Sequence, residues 1–329
     1  MQAPFYFTVV VWGEKYRLDF LNHCLRSLLF PGNLPCLPKP VKILIATTPD
    51  DWRAMQLHPN FLAVSNWAEM KFIEIPPCPL WKSACEHMGI GHELTAKMCY
   101  ADKAITCLLT PDLMLSSFSL FNAFASGFPV VLAVALRFAE ETFLPHMAGV
   151  VSGRDMVRAA LHGLHSETLR YEWDAPYLEM KPGAVWWKAP QGMLIHSFSW
   201  APIILDYSKV GVHDTSTFSK WTIDGDYVYR NWGESAVGAV TDSDDGFVCS
   251  WSPLGDKPKS LDPHPLFPGP HGMYAKGALL RAAFHSKTYD PMKRKLFAAT
   301  VKWHSEDLTE EWNAVEDRAW GDLSGYLKL

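Results

Sequence analysis

Residues 5–12 read FYFTVVVW and residues 41–48 read VKILIATT. Both runs are apolar at consecutive rather than alternate positions and rich in β-branched and aromatic residues. That is the pattern of strands covered on both faces, as in a mostly parallel sheet. After the first run, YRLDFLNHCLRSLLF (16–30) places Leu18, Leu21, Leu25, Leu28 and Leu29 at helical spacing, and PGNLPCLPKP (31–40) stops it. After the second, PDDWRAMQ (49–56) carries Pro and Asp where a helix begins. MKFIEIPP (70–77) reads as a third strand, HELTAKMCYADKAI (92–105) as helical, and TCLLTPD (106–112) as a fourth strand. Strands alternating with helices at this pitch predict a doubly wound α/β sheet, in which ligands sit beyond the carboxyl ends of the strands. That rule aligns Trp12-Gly13, Thr47-Thr48 and Asp112 along one edge.

Further along, SLFNAFASG (119–127) reads as a helix closed by Gly127, and FPVVLAVALRF (128–138) as a strand leading to Arg137, Glu140 and Glu141. GRDMVRAALHGLHSETLRY (153–171) reads as one helix, and GMLIHSFSWAPIILDYS (192–208) as strand-like runs around His196. The expected organisation is an α/β domain over residues 1–250, a Pro-rich connector over 251–273 and a helical extension over 274–329.

The chain has 329 residues, 48% of them hydrophobic and 13% aromatic, enough for one large domain or two modest ones. A formal net charge of −5 speaks against nucleic acid as the main partner, since that footprint is basic. The seven Cys include no CxxC pair, and several lie in apolar segments, as buried free thiols do in a reducing compartment. The N-terminus lacks a basic lead-in, and the longest apolar run, GFPVVLAVAL (127–136), is too short to cross a bilayer. A cytoplasmic location follows as the expectation.

The phosphate-binding signatures GxGxxG and GxxxxGK[ST] are absent, as is the G-x-S-x-G nucleophile elbow. Asp112, at a strand tip, either caps the following segment or points into a site. His196, between apolar strand residues, is either a hydrogen-bonded core side chain or a ligand. Asp224 and Asp226 flank Gly225; if extended they face one side, where repulsion can raise one pKa toward general-base work, and otherwise they form a turn. Glu140 competes for the base role, and Arg137 could pair with phosphate or with acids. Lys97 could reach phosphate or stand as a solvated helix-face residue. DSDDG (242–246) resembles a fragment of a calcium loop without its closing Glu, and reads as an acidic turn.

VVVWGEKYRLDFLNHCLRSLLFPGNLP with VKILIATTPDD resembles the N-terminal half of GT-A-type glycosyltransferases, family 2-like, in which the first strand ends in a nucleotide-holding loop. KMCYADKAITCLLTPDLMLSS (97–117) is similar to the family's helix and strand ending in an Asp-x-Asp motif, here reduced to Asp112 with Met114 two residues on. The resemblance spans about residues 5–245 loosely. It implies a GT-A-like sheet flanked by helices, with a C-terminal helical extension. It also implies transfer of a sugar from a nucleotide-sugar donor, UDP-linked favoured, to a glycan or lipid-linked acceptor in bacterial-type surface polysaccharide or glycoconjugate synthesis.

By the same resemblance Val11, Trp12, Gly13, Thr47, Lys97, Asp112 and Arg137 hold the donor. Asp112 and His196 hold a divalent metal, Mn2+ or Mg2+, and Asp224, Asp226 or Glu140 act in catalysis. A homo-oligomer, or peripheral association with the inner face of a membrane through the C-terminal extension, is compatible with Trp303, Trp312 and Trp320 in the tail. The competing readings are a non-catalytic nucleotide- or glycan-binding protein on the same fold and a sugar nucleotidyltransferase.

Overall fold

A computed structural model describes residues 3–175, 178, 182–219, 222–223, 225–255, 273–285, 291–325 and 327. Asp224 and positions 256–272, most of the expected Pro-rich connector, lie outside the described residues. In chain order the strands are β1 (Phe5–Val10), β2 (Val41–Thr47), β3 (Glu69–Glu74), β4 (Ile105–Leu109), β5 (Leu113–Leu115), β6 (Val130–Val134), β7 (Arg137–Ala139), β8 (Ala184–Ala189), β9 (Gly192–Ser197), β10 (Trp200–Asp206), β11 (Val237–Val240), β12 (Val248–Ser252) and β13 (Val301–His304). They fall into two compact units: Met1–Ala133 with Ala201–Val240, and Val134–Trp200 with Thr241–Leu329. The chain thus leaves the first unit near residue 134, returns at 201, and leaves again at 241.

The first unit is an α/β layer built on a seven-stranded, mostly parallel sheet in the order β11-β6-β10-β4-β1-β2-β3. β1 runs parallel to both β2 and β4, with Phe5 opposite Val41 and Ile105, and all six of its residues are buried. Consecutive burial is what the unbroken apolar run predicts for a central strand, each large side chain contributing about 1.5–3 kcal/mol. β3, at the edge, alternates in exposure because only one of its flanks and faces is covered. β10 runs antiparallel to β4, so the sheet is mixed at that position.

Helix Ala84–Ala101 lies over β1 and β2, capped by the Ser83 hydroxyl accepting from the Glu86 N–H at 3.2 Å. Gly91 permits the approach: a Cβ there would stand 2.7 Å from Val10 and 2.9 Å from the Ala46 methyl. Helix Pro49–Met55 starts where Pro49 and the Thr48 cap place it.

The second unit holds the antiparallel sheet β8-β9-β13 and the parallel pair β7 and β12. Its core gathers Trp173, Trp187, Phe198, Phe297 and Trp312. The tail expected to be helical has helices Met273–Phe284, Pro291–Phe297 and Glu310–Ser324, but β13 stands between the last two. Val301 and Trp303 are buried where β13 completes the sheet beside β9, a partner about a hundred residues away that local pattern cannot show.

Two local readings are corrected. Residues 153–171 form two helices, Gly153–His162 and Ser166–Leu169. Gly163 lies against the Phe143 backbone, and the His165 imidazole caps the second helix by accepting from the Glu167 N–H. Residues 225–232 form a helix, not an extended segment, and Asp226 sits in its first turn paired with Arg230 at 2.9 Å, the i,i+4 partner.

Candidate metal centre

In the second unit, residues 241–243 lie beside β13: the Lys302 N–H donates to the Thr241 carbonyl at 2.8 Å, and the Ser243 N–H to the Lys302 carbonyl at 3.0 Å. The Ser243 hydroxyl accepts from the His304 N–H at 3.0 Å, clamping the turn to the strand end. Within the turn the Asp242 side chain accepts from the Asp244 N–H at 2.8 Å, an Asx turn that aims both carboxylates the same way. The result brings Asp242, Asp244 and His304 together, with one ligand atom from each within 4.8 Å of the others. Among the described residues this is the group of three or more His, Cys, Asp or Glu side chains able to hold a metal ion.

The imidazole orientation is determinate. His304 Nδ1 stands 2.7 Å from the Glu306 carbonyl oxygen, which can only accept, so Nδ1 carries a proton. Nε2 is then directed at Asp242 Oδ1, 2.8 Å away, and lies 4.0 Å from Asp244 Oδ2. A lone pair facing a carboxylate at that distance needs a proton or a cation between them. An imidazole fixed through Nδ1 by a backbone carbonyl, with Nε2 turned to carboxylates, is how proteins commonly orient a metal-binding histidine. His304 is 2% exposed while Asp242 and Asp244 reach solvent, so the group has a fixed base and an open side.

Charge is concentrated around it. Asp245, partly buried beside the Asp242 and Asp244 carboxylates, has its own pKa pushed up by burial and by those charges. Arg154, on helix Gly153–His162, donates to both oxygens of Asp244 at 2.9 and 2.7 Å and to Asp307 at 2.6 Å. These hydrogen bonds hold the Asp244 carboxyl below the usual carboxylate range. One nitrogen and carboxylate oxygens form a donor set acceptable to Mn2+, which tolerates imidazole better than Mg2+ does. The residues fit a divalent cation.

In sequence, residues 242–246 read as an acidic turn. Asp242-Ser243-Asp244 is an Asp-x-Asp spacing that was visible, but the imidazole belonging to it lies sixty residues on.

In the first unit, the carboxyl edge of the sheet brings together Val11, Trp12, Gly13 and Thr47. The Val11 N–H donates to the Ala46 carbonyl, and the Trp12 ring meets His87 edge-on at 5.0 Å. Gly13 takes φ +80, a conformation that favours glycine, and its N–H donates to Asp51 Oδ2 at 3.0 Å. Asp51 also accepts from Arg17 at 2.6 Å and from the Thr48 hydroxyl at 2.8 Å. Burial pushes its pKa up, but these bonds outweigh burial and leave it lowered. The Thr47 hydroxyl and both His87 ring nitrogens are buried without a hydrogen-bond partner. Asp112 is half-buried in the turn after β4, at the same edge.

The other expected residues are dispersed. Lys97 is an exposed helix residue paired with Glu93 at 2.7 Å. Arg137 pairs with Glu167 at 3.3 Å, and Glu140 begins the short helix Glu140–Phe143. His196 is fully buried: its Nδ1 meets the Phe297 carbonyl at 2.9 Å, the Trp187 and Trp320 rings enclose it, and burial pushes its pKa down to about 4. This is a core position. Asp112 and His196 lie in different units and belong to no metal-capable group among the described residues.

No helix among the described residues is long and apolar enough to cross a membrane. No protein-family model and no curated protein matches the chain. Among solved structures, a crystal structure of the galactosyltransferase LgtC in complex with donor and acceptor sugar analogs aligns over 94% of this chain and 99% of that one. The identity is 10% and the TM-score 0.34.

Proposed function

We propose that the chain is a divalent-cation-dependent glycosyltransferase acting on a nucleotide-sugar donor. The observation that carries this reading is the Asp242–Asp244–His304 group, with His304 Nε2 turned toward two carboxylates. A cation held there would neutralise charge developing on a departing nucleoside diphosphate. The Asx turn at Asp242 and the Ser243–His304 clamp would keep the three ligand atoms positioned, and Nδ1, tied to Glu306, would keep the tautomer fixed. In the first unit, taken by itself, Trp12, Gly13 and Thr47 form a carboxyl-edge loop suited to a nucleotide, with Asp51 holding the Gly13 loop in place. Asp112, at that same edge of the first unit, is the carboxylate we assign to the surroundings of the nucleotide there.

Measuring donor hydrolysis over a panel of nucleotide sugars in Mn2+, Mg2+ or EDTA tests the reading. Turnover dependent on a divalent cation, and lost in Asp242→Asn, is the expected result. Stabilisation by a nucleotide with no turnover of any donor, candidate acceptors included, would sink it. One observation favours a second, non-catalytic binding reading. The Arg154 guanidinium already occupies both oxygens of Asp244, and so balances that acid without a metal.

A further inference from the structure

The amino edge of the first unit's sheet, opposite the edge bearing Trp12 and Thr47, carries a cavity of about 870 Å3. Ala3 and Pro4 line it from the lead into β1 and Tyr6 from β1 itself, Lys39 and Pro40 from the approach to β2 and Lys42 from β2, Asp102 and Lys103 from the turn before β4, and Ser208 from the turn after β10. Three lysines therefore line one space in a chain whose formal net charge is −5.

The only carboxylate in that wall is already engaged. Asp102 Oδ2 accepts the Tyr6 hydroxyl at 2.6 Å, and Tyr6 itself is 2% exposed. The nearest further acid, Glu69, is 3.9 Å from the Lys42 ammonium, at the limit of pairing. Each lysine ammonium lies over an aromatic face: Lys39 over Trp67 at 5.4 Å, Lys42 over Tyr6 at 5.2 Å and Lys103 over Tyr100 at 3.7 Å, the last also donating to the Val210 carbonyl at 3.2 Å. The ammonium groups are thus held at their stations rather than swinging freely in solvent.

Lys103 adds an independent observation. It is the residue after the cap of helix Ala84–Ala101, and the Ala104 N–H closes on the Cys99 carbonyl at 2.9 Å in a Schellman-type ending. That position takes φ 51, where glycine is the usual occupant. A lysine is kept there at a cost in backbone energy, and its side chain lines the cavity.

We propose that this cavity binds the phosphate group of a phosphorylated ligand. Lysines, as separate point charges with rotatable donors, suit a compact multivalent anion. A planar carboxylate would call for the arginine fork instead. The Ser208 hydroxyl adds a donor, and the volume admits more than a bare phosphate. The site does not rest on the transferase reading, because none of its residues belongs to that machinery.

The phosphate could be free or borne on a lipid headgroup, and the two arms of one experiment separate these sources. The full chain is titrated calorimetrically with pyrophosphate in EDTA. In parallel it is co-sedimented with phosphatidylcholine vesicles with and without phosphatidic acid. Lys39 and Lys103 are exposed, so the double variant Lys39→Gln, Lys103→Gln is made as the control, its folding checked by circular dichroism. Saturable pyrophosphate binding weakened by about ten-fold or more in the variant supports the site with a soluble ligand. Pelleting that requires phosphatidic acid and is lost in the variant supports it with a headgroup. Absence of both, or binding that survives the double substitution, overturns the proposal.

Discussion

His304 Nε2 and Asp242 Oδ1 stand 2.8 Å apart, while His304 Nδ1 is committed to the Glu306 carbonyl at 2.7 Å. With Nδ1 protonated, the short contact requires a positive particle between imidazole and carboxylate. Asp242→Asn keeps the side-chain oxygen that accepts from the Asp244 N–H, so the turn survives while the charge is lost. Mn2+ affinity, read by electron paramagnetic resonance titration, is expected to fall by at least about ten-fold with little change in Tm. Undiminished Mn2+ binding in this variant would remove the group from consideration as a metal centre.

Arg154 competes for the same carboxylate. Its guanidinium meets both Asp244 oxygens and also Asp307, all three side chains being substantially exposed. In Arg154→Met the Asp244 oxygens are released to a cation, and Mn2+ binding should tighten several-fold in the same titration. Exposed ion pairs contribute little to folding, so Tm should barely move. Weaker Mn2+ binding would instead show that Arg154 orients Asp244 for the metal.

Gly192 permits the pairing that delivers His304. A Cβ at this position would lie 2.1 Å from the Trp303 carbonyl oxygen and 2.8 Å from the Trp312 ring, and both atoms are fixed by the sheet and the core. Gly192→Ala must displace β13 or β9. Urea denaturation is expected to show a loss of about 1–3 kcal/mol, the range for overpacked interiors, with Mn2+ affinity reduced alongside. An alanine variant of unchanged stability would mean that β13 has room to shift.

Acid should destabilise the protein through two buried imidazoles. Burial pushes both His92 and His196 down to about 4. His92 Nδ1 accepts from the Ile223 N–H at 3.3 Å, and His196 keeps Nε2 inside an aromatic cage, so each is held neutral. A folded-state pKa below the unfolded value means that the unfolded chain binds protons first as pH falls. The stabilisation is complete above about pH 6.5 and is lost progressively between there and about pH 4. At pH 5 the loss amounts to about 2 kcal/mol for each group. Denaturant midpoints measured from pH 7 to pH 4.5 should therefore decline, and His92→Gln or His196→Gln should flatten the decline. Midpoints independent of pH over this window would contradict the assignment.

The Gly13 loop should depend on Asp51. Its carboxylate accepts from the Gly13 N–H, the Thr48 hydroxyl and Arg17, linking the ends of β1 and β2. Asp51→Ala leaves the Gly13 N–H and Arg17 without their acceptor. Nucleotide binding measured by calorimetry should weaken more than Tm declines. Unchanged nucleotide affinity would separate this loop from the donor site.

Much of the sheet was legible because its signal is local. The consecutive apolar residues of 5–12 and 41–48 can only be satisfied by cover on both faces, and the Leu spacing of 18–29 marks a helix able to supply it. The carboxyl edge with Trp12, Gly13 and Thr47 followed from that alternation. Asp242-Ser243-Asp244 was equally visible as a spacing, yet an acidic turn and a ligand pair are identical on paper. Only tertiary structure brings an imidazole to that turn, by pairing β13 with β9 and seating its last residue, His304, against it. For the same reason His196, which local sequence presents as a candidate ligand, is enclosed by Trp187, Phe297 and Trp320, residues drawn from three other elements. Hydrophobic periodicity acts between neighbours in the chain and is written in the sequence. A metal-capable group depends on distances between side chains far apart in it, which exist only once strand pairing has brought them together.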